Sequence, residues 1–264
     1  MVAIRDRIPN YQRSLAKQLG VKRMALDPRS GSFARAATQV GVDADSDAGL
    51  RKYMLSVYNY MALGVALTGI IALVVALNPA VMQAVALGPM KWVLFIGILG
   101  LGWFSGKIMF SGSWPMAQGA FWLYASLWGM LIAPMFYLYT GESIVRVFFI
   151  TSAAFAGTSL YGYTTKKDLT AMGRFLMMAA IGCLVAMIVN FFLESAMFHF
   201  ILSIVVVLVF AGLTAYETQN IKSAYYEGDS GDIQNRKAIF GAFILYGSFV
   251  TMFIWLLSIF GSRE

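Results

Sequence analysis

Of 264 residues, 59% are hydrophobic and 12% charged, against roughly 25% charged in an average soluble domain, so the composition excludes an ordinary soluble enzyme and indicates an all-α integral membrane protein. The net charge is +7, and ten of the 20 Lys and Arg residues fall within residues 1–52, where orientation in a membrane and attraction to anionic lipid account for them without nucleic acid. The single cysteine, Cys183, cannot form an intramolecular disulfide, and the first fifty residues lack the apolar run of a cleaved signal peptide.

Residues 1–45 are polar, basic and irregular, with Pro9, Pro28 and a Ser30-Gly31-Ser32 cluster. They are expected to form a mostly disordered cytoplasmic tail. Asp43, Asp45, Ser46 and Asp47 then read as a cap for a first helix with basic opening turns. A membrane helix needs about 20 apolar residues to cross about 30 Å of hydrocarbon, and a seven-span membrane domain is expected over residues 46–264. The spans fall near residues 53–77, 92–110, 117–138, 143–161, 175–192, 198–216 and 238–260.

With the N-terminus inside, the inner segments collect ten basic residues in the tail, then Lys107, Lys166, Lys167, Arg174, Lys222, Arg236 and Lys237. The outer segments hold only Lys91, Arg146 and Arg263. That asymmetry predicts a cytoplasmic N-terminus, an outside C-terminus and an odd number of spans. Small residues four apart, Gly102 with Gly106 and Ala153 with Gly157, suggest places where helices pack closely. Trp92, Trp103, Trp114, Tyr137, Tyr139, Tyr161 and Tyr163 lie near span ends and are expected mostly as interfacial anchors.

Several chemistries lack their residues. The one histidine, His199, cannot supply an H-E-x-x-H zinc helix, and no P-loop, dinucleotide glycine motif or G-x-S-x-G elbow occurs. His199 has no evident serine partner at its depth, and reads as an interfacial polar residue. The last span has no lysine for a Schiff base. Gly228-Asp229-Ser230-Gly231-Asp232 lacks the ligand alternation of a calcium loop, so a tight turn with Asp232 capping the last helix is expected. No enzyme, cofactor or resident metal is indicated.

What remains is an acid at the end of one apolar run and polar groups in the next. Glu217 closes the sixth span, and the seventh carries Tyr246, Gly247, Ser248 and Thr251. Ser248 and Thr251 are three residues apart and share a helix face. A charge at membrane depth costs about 2.5 to 3.5 kcal/mol at the centre of a helix and less near its ends. Two readings stay open: the hydroxyls bond their own helix while Glu217 reaches inner water, or Glu217 bonds across to the seventh helix and gates a polar path.

Three stretches together resemble a known family: Asp47-Ala-Gly-Leu-Arg-Lys-Tyr-Met-Leu-Ser-Val-Tyr-Asn-Tyr-Met-Ala62, Tyr161-Gly-Tyr-Thr-Thr-Lys-Lys-Asp-Leu-Thr-Ala-Met-Gly173, and Phe210-Ala-Gly-Leu-Thr-Ala-Tyr-Glu-Thr-Gln-Asn-Ile-Lys222. They are similar to the Bax inhibitor-1 family, in its bacterial YccA-like branch, from about Asp47 to Gly261. The resemblance implies seven helices with the last one central, a bacterial inner membrane, and a pH-sensitive calcium or cation leak. It also implies an acid at the end of the sixth span paired with an acid in the seventh. The first maps to Glu217; the second maps to Ser248 in Leu245-Tyr-Gly-Ser-Phe-Val-Thr251, so the usual second carboxylate is missing. A basic residue that the family can pair with these acids maps to Lys107. Two close carboxylates cannot both ionise cheaply and share a proton, whereas Glu facing Ser lacks that repulsion, so weaker pH gating is expected. The ion-path residues are therefore Glu217, Ser248, Thr251, Tyr246 and Lys107, with calcium or other cations as transient partners. The resemblance also allows a non-conducting modulator of membrane-protein quality control that binds a membrane AAA protease through the tail and inner loops.

Overall fold

The computed structural model describes residues 28–86 and 88–263, with side chains from residue 48 onward except at 87 and 109. The described chain forms helices α1 (Pro28–Ala76), α2 (Pro79–Ala86), α3 (Met90–Ser111), α4 (Trp114–Ile132), α5 (Met135–Leu138), α6 (Gly141–Thr164), α7 (Thr170–Leu193), α8 (Ala196–Ser223) and α9 (Gly231–Phe260). Seven stretches are long and apolar enough to cross a membrane: Ala48–Ala76, Met90–Ile108, Trp114–Leu138, Gly141–Thr164, Thr170–Leu193, Ala196–Ser223 and Gly231–Phe260. The seven expected spans are thus all present, most of them longer than expected. Residues 1–27 of the expected tail lie outside the described residues.

From Pro28 the backbone is helical, so the acids at positions 43–47 lie within a helix and not at its cap. Ala34, Arg35, Ala36, Ala37 and Gln39 are good helix formers, which favours helix over the irregular backbone expected there. Three later helices do start on hydroxyl caps. Thr140, Ser195 and Ser230 accept from the backbone N–H groups of Ser143, Phe198 and Ile233. The cap of α9 is therefore Ser230 rather than Asp232. Asp232 instead pairs with Arg236 one turn on, at 3.0 Å. Pro134 interrupts the third span, because its ring and missing N–H break the ladder between α4 and α5.

Over half of the α9 span is buried, against less than a third of every other. Its Ile239, Ala242, Leu245, Tyr246, Met252 and Leu257 are fully enclosed. The close helix approaches are not at the small pairs read from sequence. A Cβ added at Gly102, Gly106 or Gly157 would meet nothing within 4 Å, and Ala153 is exposed; a four-residue spacing fixes that two residues share a face, not which way the face points. Helices touch instead at Gly162, where a Cβ would stand 2.1 Å from the Ala215 carbonyl oxygen, and at Gly129, where it would stand 2.8 Å from that of Thr68.

The two ends of the bundle differ in their ties. At one end Tyr53 packs on Tyr225, Lys222 donates to the Tyr163 carbonyl at 2.8 Å, and Arg236 donates to the carbonyls of Phe110 and Gly112. At the other end Tyr137 donates to the Ala76 carbonyl, while Ser262 bonds both Thr140 and Ser143. Tyr139, expected at the lipid interface, is buried close against Gly261.

Candidate functional site

The sixth apolar run does not stop at Tyr216. Helix α8 continues to Ser223, so Glu217 sits inside a helix rather than at its end. The polar residues that follow are held by neighbouring segments: Gln219 accepts from Leu169 N–H and donates to the Lys167 carbonyl, both at 2.8 Å. Thr218 is fully buried and bonds the Ser159 hydroxyl at 2.9 Å. Each polar group finds a partner, which lets the helix carry them past the point where hydropathy falls.

Glu217 itself is half-buried. Ser248, on the most buried helix and almost inaccessible, donates its hydroxyl to Glu217 Oε2 at 2.7 Å. The bond crosses from α9 to α8 and joins the two positions that the sequence set on facing helices. Thr251 shares that face but donates to its own Gly247 carbonyl at 2.8 Å. Glu217, Ser248 and Thr251 line one cleft of about 340 Å³, whose walls also include Gly102 and Ser105 of α3, Tyr124 and Trp128 of α4, and Phe240 and Phe243 of α9. Tyr124 and Phe243 stack with centroids 4.2 Å apart.

Tyr246 and Lys107 are not brought to this cleft. Tyr246 is fully enclosed on another face of α9, where its hydroxyl lies 2.6 Å from Thr68 Oγ1. Thr68 also reaches the carbonyls of Gly64 and Ala125, so this pair ties α1, α4 and α9 together. Lys107 is exposed. It lies two residues beyond the cleft-lining Ser105, and two residues turn a helix by about 200°. Among the described residues no ion pair joins it to Glu217; those present are Arg146 with Glu142, Arg236 with Asp232 and Lys237 with Asp229.

The site offers a cation one carboxylate and a few hydroxyl oxygens. A calcium ion takes six to eight oxygen ligands, so this set can steady a partly hydrated ion in passing but cannot replace its water. Sequence reasoning missed the contribution of α3 and α4. Ser105 and Gly102, three apart in an apolar helix, were the available signal for one small, polar face. It also missed the hydroxyl chain from Tyr58 to Ser159, 2.7 Å, and on to Thr218. His199 does have a serine partner: its Nε2 lies 2.9 Å from Ser258 Oγ on α9, beside the Trp255 ring. The sequence could not pair them, because they lie 59 residues apart and meet only through the packing of α8 on α9.

Comparison with known proteins agrees with the motif resemblance. Residues 50–264 match the family described as "Inhibitor of apoptosis-promoting Bax1". A Caulobacter vibrioides protein is 40% identical over 88% of this chain and 97% of its own length. A Rickettsia prowazekii protein is 38% identical over 88% of this chain and 98% of its own. The Escherichia coli inner membrane protein YbhL is 38% identical over 82% of this chain and 94% of its own. With seven membrane-length helices and a family match across all of them, the chain is a multi-pass membrane protein that belongs to the Bax inhibitor-1 family.

Proposed function

We propose that the protein is a cation leak, with calcium as the physiological ion, and that its path passes the cleft between α8, α9 and α3. The observation that carries this reading is the half-buried Glu217 carboxylate, held by Ser248 across the helix interface at 2.7 Å and opening on a cleft of about 340 Å³. A carboxylate kept within a membrane span, in reach of a cavity and with one hydroxyl partner, is the usual mark of an ion pathway. The inner membrane named for YbhL is the proposed location, with the N-terminus cytoplasmic and the C-terminus outside.

Calcium flux into liposomes of purified protein, from pH 6 to 8, tests the reading. Wild-type flux should exceed that of empty liposomes, and Glu217→Gln should change it at least several-fold. Ser248 stands where the family resemblance implies a second acid, so wild-type pH dependence should be shallow. Ser248→Asp should steepen it by adding the like-charge repulsion that couples two carboxylates. An identical pH response with and without that change removes the gating part of the proposal. Flux equal to that of empty liposomes at every pH removes the leak, and leaves the non-conducting role of binding a membrane AAA protease.

A further inference from the structure

A second, wholly different surface lies between α1 and α6. Three cavities follow one another along these helices, of about 530, 460 and 170 Å³. The first two share Tyr58 and Phe155, and the last two share Val65 and Phe148. Together they make one continuous apolar groove floored by Phe249 of α9 in its deeper part. Leu55 and Leu160, both more than half exposed, form its rim near one end.

Three features set this groove apart from ordinary lipid-facing helix surface. It is concave down to the enclosed core, since Phe155 and Phe249 belong to the buried cluster around Tyr246. Its mouth is cationic. Arg51 lines it, and so does Tyr163, whose ring carries the Lys222 ammonium 4.7 Å from its centroid. Just inside the mouth the wall turns polar for one turn only, at the bonded hydroxyls of Tyr58 and Ser159. Beyond them the lining is apolar apart from Ser152, which bonds its own helix, and Thr68, whose hydroxyl is taken up by Gly64, Ala125 and Tyr246.

That order of chemistry is the order within a phospholipid: anionic phosphate, polar ester linkage, hydrocarbon chain. The lengths agree as well. At 1.5 Å per helical residue, Arg51 to Tyr58 spans about 10 Å and Tyr58 to Gly69 about 16 Å. The second is close to one leaflet's share, about 15 Å, of a 30 Å hydrocarbon core. We propose that this groove binds one anionic phospholipid of the leaflet at the Lys- and Arg-rich end, with its acyl chain between α1 and α6 and its phosphate at Arg51. The site shares no lining residue with the Glu217 cleft, so it stands or falls apart from the leak.

The test is native mass spectrometry of the full-length protein released from micelles doped with equal amounts of phosphatidylglycerol and phosphatidylcholine. Wild type should retain one phosphatidylglycerol in preference to phosphatidylcholine by about fivefold, the factor expected from one basic side chain near an anionic headgroup. Arg51→Gln should bring the two lipids to near parity. Ala156→Phe, at an exposed position on the groove wall, should remove the retained lipid, while Leu184→Phe on the exposed face of α7 should keep it. Equal retention of the two lipids by wild type overturns the proposal. So does a phosphatidylglycerol preference that survives both Arg51→Gln and Ala156→Phe, which would place it elsewhere on the surface. Dimers that vanish in Ala156→Phe without a change in lipid would give the groove to a second copy of the chain.

Discussion

At the scale of single residues, the contacts that matter are those where no atom can be added. Gly162 faces Ala215 so closely that a Cβ would stand 2.1 Å from its backbone carbonyl oxygen. Backbone cannot swing aside as a side chain does. Gly162→Ala therefore forces α6 away from α8, and strains the Ser159–Thr218 hydroxyl bond one turn earlier. Overpacking of this kind costs about 1 to 3 kcal/mol, or a fall of roughly 2 to 12 °C in the melting temperature of a chain this size. Gly157→Ala, five residues away on the same helix with open space beside it, should leave the melting curve in detergent within error of wild type. Because alanine favours helix over glycine, a fall of equal size for both would mean that the loss does not come from the close approach at Gly162. The sequence exposed the residue types at these positions but not their facing. That is why Glu217 and Ser248 are legible as a pair: a carboxylate at the edge of an apolar run can be read from hydropathy alone, whereas the side of α3 on which Lys107 stands depends on its packing.

At the scale of elements, α3 and α9 are joined by side chain to backbone. Arg236 donates to the carbonyls of Phe110 and Gly112, which the end of α3 leaves without helical partners, and its ring of contacts continues in the Phe110–Phe240 pair at 5.0 Å. The guanidinium also meets the negative end of the α3 dipole. Arg236→Gln removes the charge and shortens the reach, so amide hydrogen exchange in the last two turns of α3 should quicken by about tenfold, as expected for the loss of a charged hydrogen bond. Unchanged exchange there would show that the aromatic pair alone holds the helix end. The start of α7 is different. The Asp168 carboxylate accepts from Thr170 N–H at 2.8 Å, and its hydrogen bonds to Thr170 hold it below the ordinary range for an aspartate. A group with a lowered value contributes its stability above the unfolded value, near 3.9, and loses it only as the pH falls through the lowered one. Between pH 6 and 8 this joint is constant, so a pH response of flux in that range has its origin elsewhere. Helix number and order were legible because apolar runs of membrane length leave little choice. Helix ends were not: α8 and α9 run about two turns past the hydropathy boundary, since Gln219, Thr218 and Lys222 are satisfied by segments distant in sequence.

At the scale of the whole molecule, the asymmetry of charge becomes a statement about direction. Among the described residues, the end that carries the Lys222 and Arg236 ties also holds Arg51, Lys52, Lys107, Lys166, Lys167, Arg174 and Lys237, while the opposite end holds Lys91, Arg146 and Arg263. Seven crossings put the start of the first span and the end of the last on opposite sides, so a single orientation satisfies every loop at once. Insertion retains Lys and Arg in the cytoplasm as a rule, and the orientation proposed above follows it by placing the basic end inside. The proposed phospholipid site opens at that same end, so lipid headgroup and loop charge make one requirement of the leaflet. Labelling of cysteine variants with a membrane-impermeant maleimide checks this directly, in a Cys183→Ala background that removes the buried native thiol. Glu142→Cys, at the exposed start of α6 on the less basic side, should react in intact cells. Glu227→Cys, in the exposed turn between α8 and α9, should react only after the membrane is permeabilised. The reverse pattern would invert the molecule, and with it the leaflet from which the groove draws its lipid; equal labelling of both in intact cells would mean that the charge difference does not fix the orientation.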